Sequence, residues 1–180
     1  MLHSHSLIFY PNPILKKKSQ KISPIKHSKS TLLPIIEQMF NIMIKEDGIG
    51  LAANQIGLDI SLAIVYIQEI ENTTFEDFLS QGYILINPEI TFQSVETAIY
   101  KEGCLSIPTI LAEVTRPKEI TLTYQDTSYN THTLNATDLL ATCIQHEVDH
   151  LNGILFTDRL TPFKRNFLLK KYKKNQQKEL

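Results

Sequence analysis

The stretch TDLLATCIQHEVDHLNG, residues 137–153, is the most informative part of the chain. Thr137 can cap a helix here, and a glycine stands at its C-terminal stop. His146 and His150 are four residues apart, so they lie one turn above each other on one helical face. Two imidazoles so placed can bind one metal ion, with Glu147 beside it. The stretch therefore predicts a helix that carries part of a metal site.

The HExxH pattern leaves a simpler alternative open, in which the histidines of an amphipathic helix make ordinary hydrogen bonds. A third ligand would decide, because a catalytic metal site uses three protein ligands and one open position. Cys143 lies about two turns from His150, roughly 10 Å of rise, which is too far for one ion to bridge from a straight helix. We expect Cys143 to line a pocket or the core. Cys104 is the better candidate, since Gly103 lets the backbone come close.

The stretch GIGLAANQ, residues 48–55, has the glycine spacing of a dinucleotide-binding turn. Such a turn must leave a strand and open a helix, so that the helix N-terminus faces the phosphate. Here a helical pattern (31–45) precedes the glycines, and a strand pattern (60–67) follows them. We therefore do not expect the stretch to bind a dinucleotide.

The remaining periodicity indicates several strands followed by two helices. Successive strand patterns without helices between them favour antiparallel sheets and an α+β fold. The segment 68–82 is acidic and polar, and it is predicted to be loop-like. The expected strands are 60–67, 83–90 with a break at Pro88, 95–100, 111–115, and 119–124 paired with 131–134; a last helix is expected from 162 to about 175.

Composition limits the possible classes of protein. The chain has 180 residues, 42% hydrophobic, which suits a single domain over 1–180. It has 18 basic and 19 acidic residues, so the whole molecule has no net field that would attract DNA or a membrane. No segment has the roughly 20 apolar residues of a membrane span. We expect a soluble, unexported protein in a reducing compartment, with Cys104 and Cys143 unpaired.

Three motifs in this order, GIGLAANQ, EGCLS and QHEVDH, resemble the signature motifs of peptide deformylases. FYPNPIL, INPEI, VTRP and the C-terminal helix extend the resemblance over almost the whole chain. It implies antiparallel sheets packed around the central HExxH helix, and one divalent metal ion held by Cys104, His146 and His150. Iron(II) is the usual metal of the family, and zinc, nickel or cobalt can occupy such sites. Glu147 would then be the general acid and base.

The resemblance also implies how a substrate is bound. Gln55 and the backbone N–H of Leu105 would face the formyl oxygen, and the carbonyl of Gly50 would accept the formamide N–H. A methionine pocket should be apolar and adjacent to the metal, which the residue types at Ile49, Leu105, Leu139 and Cys143 fit; a plain core role remains open for them. Glu102 and Arg116 are expected to pair and brace the Cys104 loop, although exposed solitary charges would explain them equally well.

The expected function is removal of the N-formyl group from the first methionine of new polypeptides, with release of formate. Such an enzyme works in the bacterial cytoplasm, or in an organelle if an upstream targeting segment is missing. The basic segment 163–180 could contact ribosomal RNA, while a solvated polar face explains its charges as well. Two other functions stay open: an HExxH peptidase with a different third ligand, and a noncatalytic binding module.

Overall fold

Four α-helices and seven strands form the part of the chain that the computed structural model describes, residues 5–68, 71 and 73–177. Short 3₁₀ helices at Pro13–Lys16, Ala53–Ile56 and Phe156–Arg159 connect some of them. The helices are α1 Lys29–Lys45, α2 Phe75–Gln81, α3 Asp138–Leu151 and α4 Pro162–Gln176. The strands are β1 Gly50–Ala52, β2 Leu62–Val65, β3 Tyr83–Gln93, β4 Thr97–Cys104, β5 Ile107–Pro117, β6 Glu119–Gln125 and β7 Thr131–Thr137.

The strands form two antiparallel sheets. One has five strands in the order β1-β2-β3-β6-β7, and the other is the hairpin β4-β5. Helix α3 contacts β1 and β2 of the larger sheet and also β4 and β5 of the hairpin. The predicted α+β fold, with antiparallel sheets around the HExxH helix and a further helix towards each end of the chain, is confirmed.

Helix α3 divides its residues between two faces. Ala141, Ile144, Val148 and Leu151 recur at helical spacing and are buried in a cluster with residues of the five-stranded sheet. The helix follows Thr137, which has the extended conformation of a cap residue although its side chain makes no capping hydrogen bond. Burial of the apolar stripe fixes the rotation of the helix, so that His146, Asp149 and His150 are turned towards residues of the hairpin β4-β5.

Gly153 ends this region as expected. Its φ is +72°, in the left-handed range that glycine adopts at little cost. A side chain at this position would also bring a Cβ to 2.5 Å from the carbonyl oxygen of Lys16. The glycine therefore lets the N-terminal segment pass close to the end of α3.

The predicted break at Pro88 is a bulge inside a longer strand. β3 runs through it, with a shift of register between Ile86 and Glu89. Asn87 has a φ of +50°, and its side-chain amide exchanges two hydrogen bonds with the backbone of Ile22, at 2.8 and 2.9 Å. Pro88 has no N–H to donate to the sheet, which interrupts the ladder at this point. The hydrogen bonds of the Asn87 side chain stabilise the resulting bulge.

The prediction that 68–82 is loop-like is wrong for α2, Phe75–Gln81; positions 69, 70 and 72 lie outside the described residues. A capping box explains the helix: Thr74 accepts a hydrogen bond from the backbone N–H of Asp77, whose carboxylate accepts one from the N–H of Thr74. Phe78 also packs its ring against Phe40 of α1, with centroids 5.2 Å apart. The loop prediction considered only the polar composition of this segment, and it therefore missed both the capping box and the ring contact.

The ends of the other helices and strands differ from the predicted ends by only a few residues. Helix α1 begins at Lys29, two residues before the start of the predicted helical pattern. Strand β4 begins two residues later and ends four residues later than predicted, and β5 begins four residues earlier and ends two residues later. The hairpin consequently includes the EGC motif within β4. No helix in the described ranges is long and apolar enough to cross a membrane.

Replacement of Phe78 tests the contribution of α2. Phe78 is fully buried among Phe40, Tyr66 and Phe75, so Phe78→Ala should lower the free energy of unfolding by about 3–5 kcal/mol in urea titrations. Phe92→Ala is the matched control, because Phe92 is 54% exposed. Equal effects of the two variants would contradict a structural role for α2.

Candidate metal centre and active site

Cys104, His146 and His150 meet in space. Cys104 is the last residue of β4, and both histidines lie on the face of α3 that is turned towards the hairpin. One ligand atom from each residue lies within 4.8 Å of the other two, and Cys104 Sγ is 3.2 Å from His150 Nε2. The three residues predicted as metal ligands thus form a group that could hold one ion. Cys143 is not part of that group.

The donor set suits a divalent transition metal. One thiolate and two imidazoles are ligands for zinc, iron(II) and similar ions, and three protein ligands leave a position open for water. The electrostatics agree: burial opposes protonation of His146, yet hydrogen bonds with Cys104 and Glu102 outweigh it and raise its pKa to about 10. A metal ion at this position would replace that proton, because a histidine ligand binds a metal in its neutral form.

A buried charge network lies behind the ligands. Glu102 contacts His146 Nδ1 at 2.9 Å and accepts two hydrogen bonds from Arg116, at 2.6 and 3.0 Å. Arg116 also donates to Asp149 at 2.8 Å, and Arg159 completes the network on the other side of that carboxylate. The predicted pairing of Glu102 with Arg116 is therefore present. Asp149 and Arg159 were missed, because nothing in the local sequence shows that a strand arginine reaches α3.

The network fixes the ionisation of its members. Burial alone would raise the pKa of Glu102, but hydrogen bonds with His146 and Arg116 outweigh it and lower the pKa to about 2. Glu102 is therefore a carboxylate at neutral pH. It fixes the orientation of the His146 ring through Nδ1, so that Nε2 is the nitrogen left for a metal.

Glu147 differs from Glu102 in its surroundings. It is 3% exposed, and its Oε2 makes no hydrogen bond within the described part of the chain. Burial raises the pKa of Glu147 to about 7. A carboxyl group with this pKa can both take up and release a proton near neutral pH.

The GIGLAANQ stretch passes directly beside α3. A side chain at Gly50 would place a Cβ 2.5 Å from Glu147 Oε1 and 2.8 Å from Cys143 Sγ, so only glycine fits. The stretch follows α1 and enters β1, as expected for a turn that is not a dinucleotide site. Gly50 therefore allows the backbone of this stretch to pass close to the helix that carries two of the candidate ligands.

Hydrogen bonds orient Gln55 towards the metal site. Its Oε1 accepts from the N–H of Ala52 at 2.9 Å, while Nε2 donates to Ser106 Oγ at 3.2 Å and lies 3.6 Å from Cys104 Sγ. The amide NH₂ therefore faces the candidate ligands. The backbone of the N-terminal segment supports the same region, since Ile8 donates to the carbonyl of Gln55 and Tyr10 to that of Ser106.

A cavity of about 690 Å³ opens in front of these groups. Burial raises the pKa of Cys143, so its thiol stays protonated, and that thiol donates to the carbonyl of Ile49 at 3.5 Å. Leu139 is 41% exposed and forms part of the rim. The predicted pocket residues Ile49, Gly50, Leu105, Leu139 and Cys143 all line the cavity, together with Cys104, His146 and Glu147. Phe9 and Tyr100 also line it and were not predicted.

A second cleft, of about 460 Å³, lies on the other side of Arg116 and Asp149. Its lining is mainly polar and does not include Cys104, His146 or His150. The candidate ligands therefore lie in the larger of these two spaces.

Comparisons with known proteins agree with this geometry. A family model of polypeptide deformylases matches residues 5–166. The chain belongs to the peptide deformylase family. A peptide deformylase of Bartonella tribocorum is 40% identical over 169 residues, covering 94% of this chain and 91% of that protein.

Solved deformylase structures share the fold. A plant peptide deformylase superposes with a TM-score of 0.85 at 31% identity, covering 99% of this chain and 92% of the other. The Ehrlichia chaffeensis peptide deformylase gives 0.84 at 33% identity, with 98% and 99% covered. Deformylases are metal-dependent hydrolases that remove the formyl group from newly made proteins, and this chain is an enzyme of that kind.

Arg116 offers a test of the network in this deformylase. Arg116→Met removes one of two charged partners from each of the buried carboxylates Glu102 and Asp149, so it should lower the free energy of unfolding by about 3 kcal/mol. Loss of the brace on Glu102 should also weaken metal binding about 10-fold to 100-fold, measured by competition with a chelating dye. Lys118→Met is the control, because the pair of Lys118 with Glu96 is exposed and screened by solvent, so its loss should change stability little.

Arg116→Lys keeps the charge and loses the two-pronged contact with Glu102. If this variant folds and binds metal as tightly as the parent enzyme, the network has no positioning role.

Proposed function

We propose that Cys104, His146 and His150 bind one iron(II) ion, and that Glu147 is the general acid and base of the deformylation reaction. The proposal is supported above all by the meeting of the three ligand atoms within 4.8 Å, beside a buried carboxyl group. Zinc, nickel or cobalt would fit the same donors. The substrate is the formylmethionyl end of a nascent polypeptide, and residues 1–180 act as one catalytic domain.

The role of the metal would be to activate a water molecule. A divalent cation held by Cys104, His146 and His150 would lower the pKa of a water molecule from 15.7 to about 7 and so make hydroxide available at neutral pH. Glu147 would accept a proton from the attacking water, for which its pKa of about 7 is suited, as the water oxygen bonds to the formyl carbon. Glu147 would then give this proton to the amine nitrogen, so that the C–N bond breaks and formate and a free amino terminus are released.

Gln55 and Leu105 stabilise the negative charge that develops on the formyl oxygen. The NH₂ of Gln55 is held towards Cys104 by the hydrogen bonds of both ends of its amide. Leu105 follows Cys104 directly and lines the cavity, which supports its backbone N–H as the main-chain donor. Each fixed donor would contribute about 3 kcal/mol to transition-state stabilisation.

The apolar part of the cavity receives the methionine side chain. Ile49, Leu139 and Cys143 line it next to the candidate ligands, and the thiol of Cys143 is neutral. The carbonyl of Gly50 accepts the formamide N–H, because the absence of a side chain brings this backbone close to α3. These contacts favour an unbranched apolar side chain such as that of methionine at the start of a peptide.

Two other functions fit the observations less well. A peptidase of the HExxH type would take a different third ligand and leave Cys104 dispensable, whereas Cys104 Sγ lies 3.2 Å from His150 Nε2. A binding module without chemistry would not need a buried, unpartnered carboxyl oxygen such as Glu147 Oε2, which is costly to maintain within the described structure.

One assay separates the three functions. Enzyme purified without oxygen is given a formyl-methionyl peptide and a longer unformylated peptide, and formate and new amino termini are measured. Glu147→Gln should lower kcat for formate release about 10²-fold to 10⁴-fold without loss of metal, because only proton transfer is removed. Cys104→Ala should abolish both metal binding and activity.

The same assay tests the metal. An iron(II) enzyme should lose activity in air as its thiolate ligand and metal are oxidised, while a zinc-loaded control should not. New amino termini from the unformylated peptide would support a peptidase, and no product from either peptide would support a binding module.

We also propose that the enzyme works in the bacterial cytoplasm and contacts ribosomal RNA through a basic surface. The supporting observation is charge segregation: residues 159–177 contain seven cations and no acid, and residues 16–36 contain six lysines and no acid. The two stretches meet at Asp158, which pairs with Lys16 at 2.5 Å and with Arg165 at 3.2 Å. Lys178 of the predicted tail lies outside the described residues.

Charge reversal tests the basic surface. Lys170→Glu with Lys174→Glu changes one face of α4, and it should weaken sedimentation with ribosomes about 10-fold at moderate salt. The control carries the same change of charge elsewhere, at Lys45 and Lys118. Formate release from a short peptide should stay unchanged in both proteins. Equal ribosome binding by the two variants would contradict the proposal.

A further inference from the structure

Thr142 brings a hydroxyl group without a partner to the wall of the active-site cavity. The residue lies on α3, four positions before His146, and it is 5% exposed. Its Oγ1 is shielded from solvent and makes no hydrogen bond among the described residues. The usual partner of a helical threonine, a carbonyl in the preceding turn, is therefore not used. A buried hydroxyl in this condition is costly, so a ligand is its natural partner.

Three of the other residues that line the cavity were predicted to receive the methionine side chain, and none of them offers it a free donor. Ile49 and Leu139 are hydrocarbon, and the thiol of Cys143 is directed to the carbonyl of Ile49. Threonine in a helix has two accessible χ1 rotamers, so the hydroxyl can turn towards the cavity without movement of the backbone. A weak acceptor in the bound side chain would meet this donor.

We propose that the Thr142 hydroxyl donates a hydrogen bond to the thioether sulfur of the bound formylmethionine, which makes Thr142 a specificity-determining residue. The inference rests on the proposed function, since that places the methionine side chain in this cavity. Hydrocarbon walls discriminate poorly between side chains of equal shape, whereas an unpaired hydroxyl gains a hydrogen bond only from a side chain that carries an acceptor. Thr142 thus distinguishes methionine from norleucine, which has a methylene in place of sulfur.

The test compares formyl-Met-Ala-Ser with formyl-norleucyl-Ala-Ser on the metal-loaded enzyme and on Thr142→Val, which has nearly the same shape. The parent enzyme should favour methionine about threefold to tenfold, mainly in KM, because the sulfur is remote from the bond that breaks. In Thr142→Val the KM for the methionine peptide should rise by that factor. The KM for the norleucine peptide and both kcat values should stay unchanged.

Two further variants serve as controls. Thr142→Ser keeps the hydroxyl and should keep the preference for methionine. Thr157 is fully buried, and its hydroxyl likewise makes no hydrogen bond within the described ranges, but it does not line the cavity. Thr157→Val should therefore leave the preference unchanged. A preference that survives Thr142→Val would overturn this inference alone, whereas no formate from either peptide with the parent enzyme would overturn the proposed function as well.

Discussion

The guanidinium of Arg116 connects the strand and the helix that carry the three candidate metal ligands. It extends from the hairpin β4-β5, binds Glu102 on the neighbouring strand, and binds Asp149 on α3. Both carboxylates and the guanidinium are buried, so the charges interact strongly. Removal of any one of them would therefore destabilise the fold. Cys104 lies two residues after Glu102, and His146 and His150 lie on the same helix as Asp149. The ion network therefore sets the distance between thiol and imidazoles before any metal is bound.

Much of this arrangement could be predicted from residue types and spacing. The spacing of His146 and His150 placed both rings on one helical face, and the rise per residue excluded Cys143 from the ligand group. The order of helix and strand around GIGLAANQ separated it from a phosphate-binding turn. These predictions are correct because they depend on local geometry, which follows from the spacing of residues within one helix or turn.

What was missed depends on contacts between distant residues. Asp149 stands inside the best recognised motif, yet its partners Arg116 and Arg159 are known only once the hairpin and the segment after α3 are packed. Helix α2 was missed because its stabilisation comes from a cap and from rings on α1, while its composition is polar. Phe9 reaches the cavity from the start of the chain for a similar reason. In each case tertiary packing outweighed the local signal.

The division of the candidate ligands between β4 and α3 has a consequence for how the protein is made. Translation delivers the thiol first and the two imidazoles only after β5, β6 and β7 have been synthesised. During that interval Cys104 is an ordinary thiol, and no ion can be held by all three residues until both histidines have been added to the chain. Loading of the metal is therefore a late step in the biosynthesis of this enzyme.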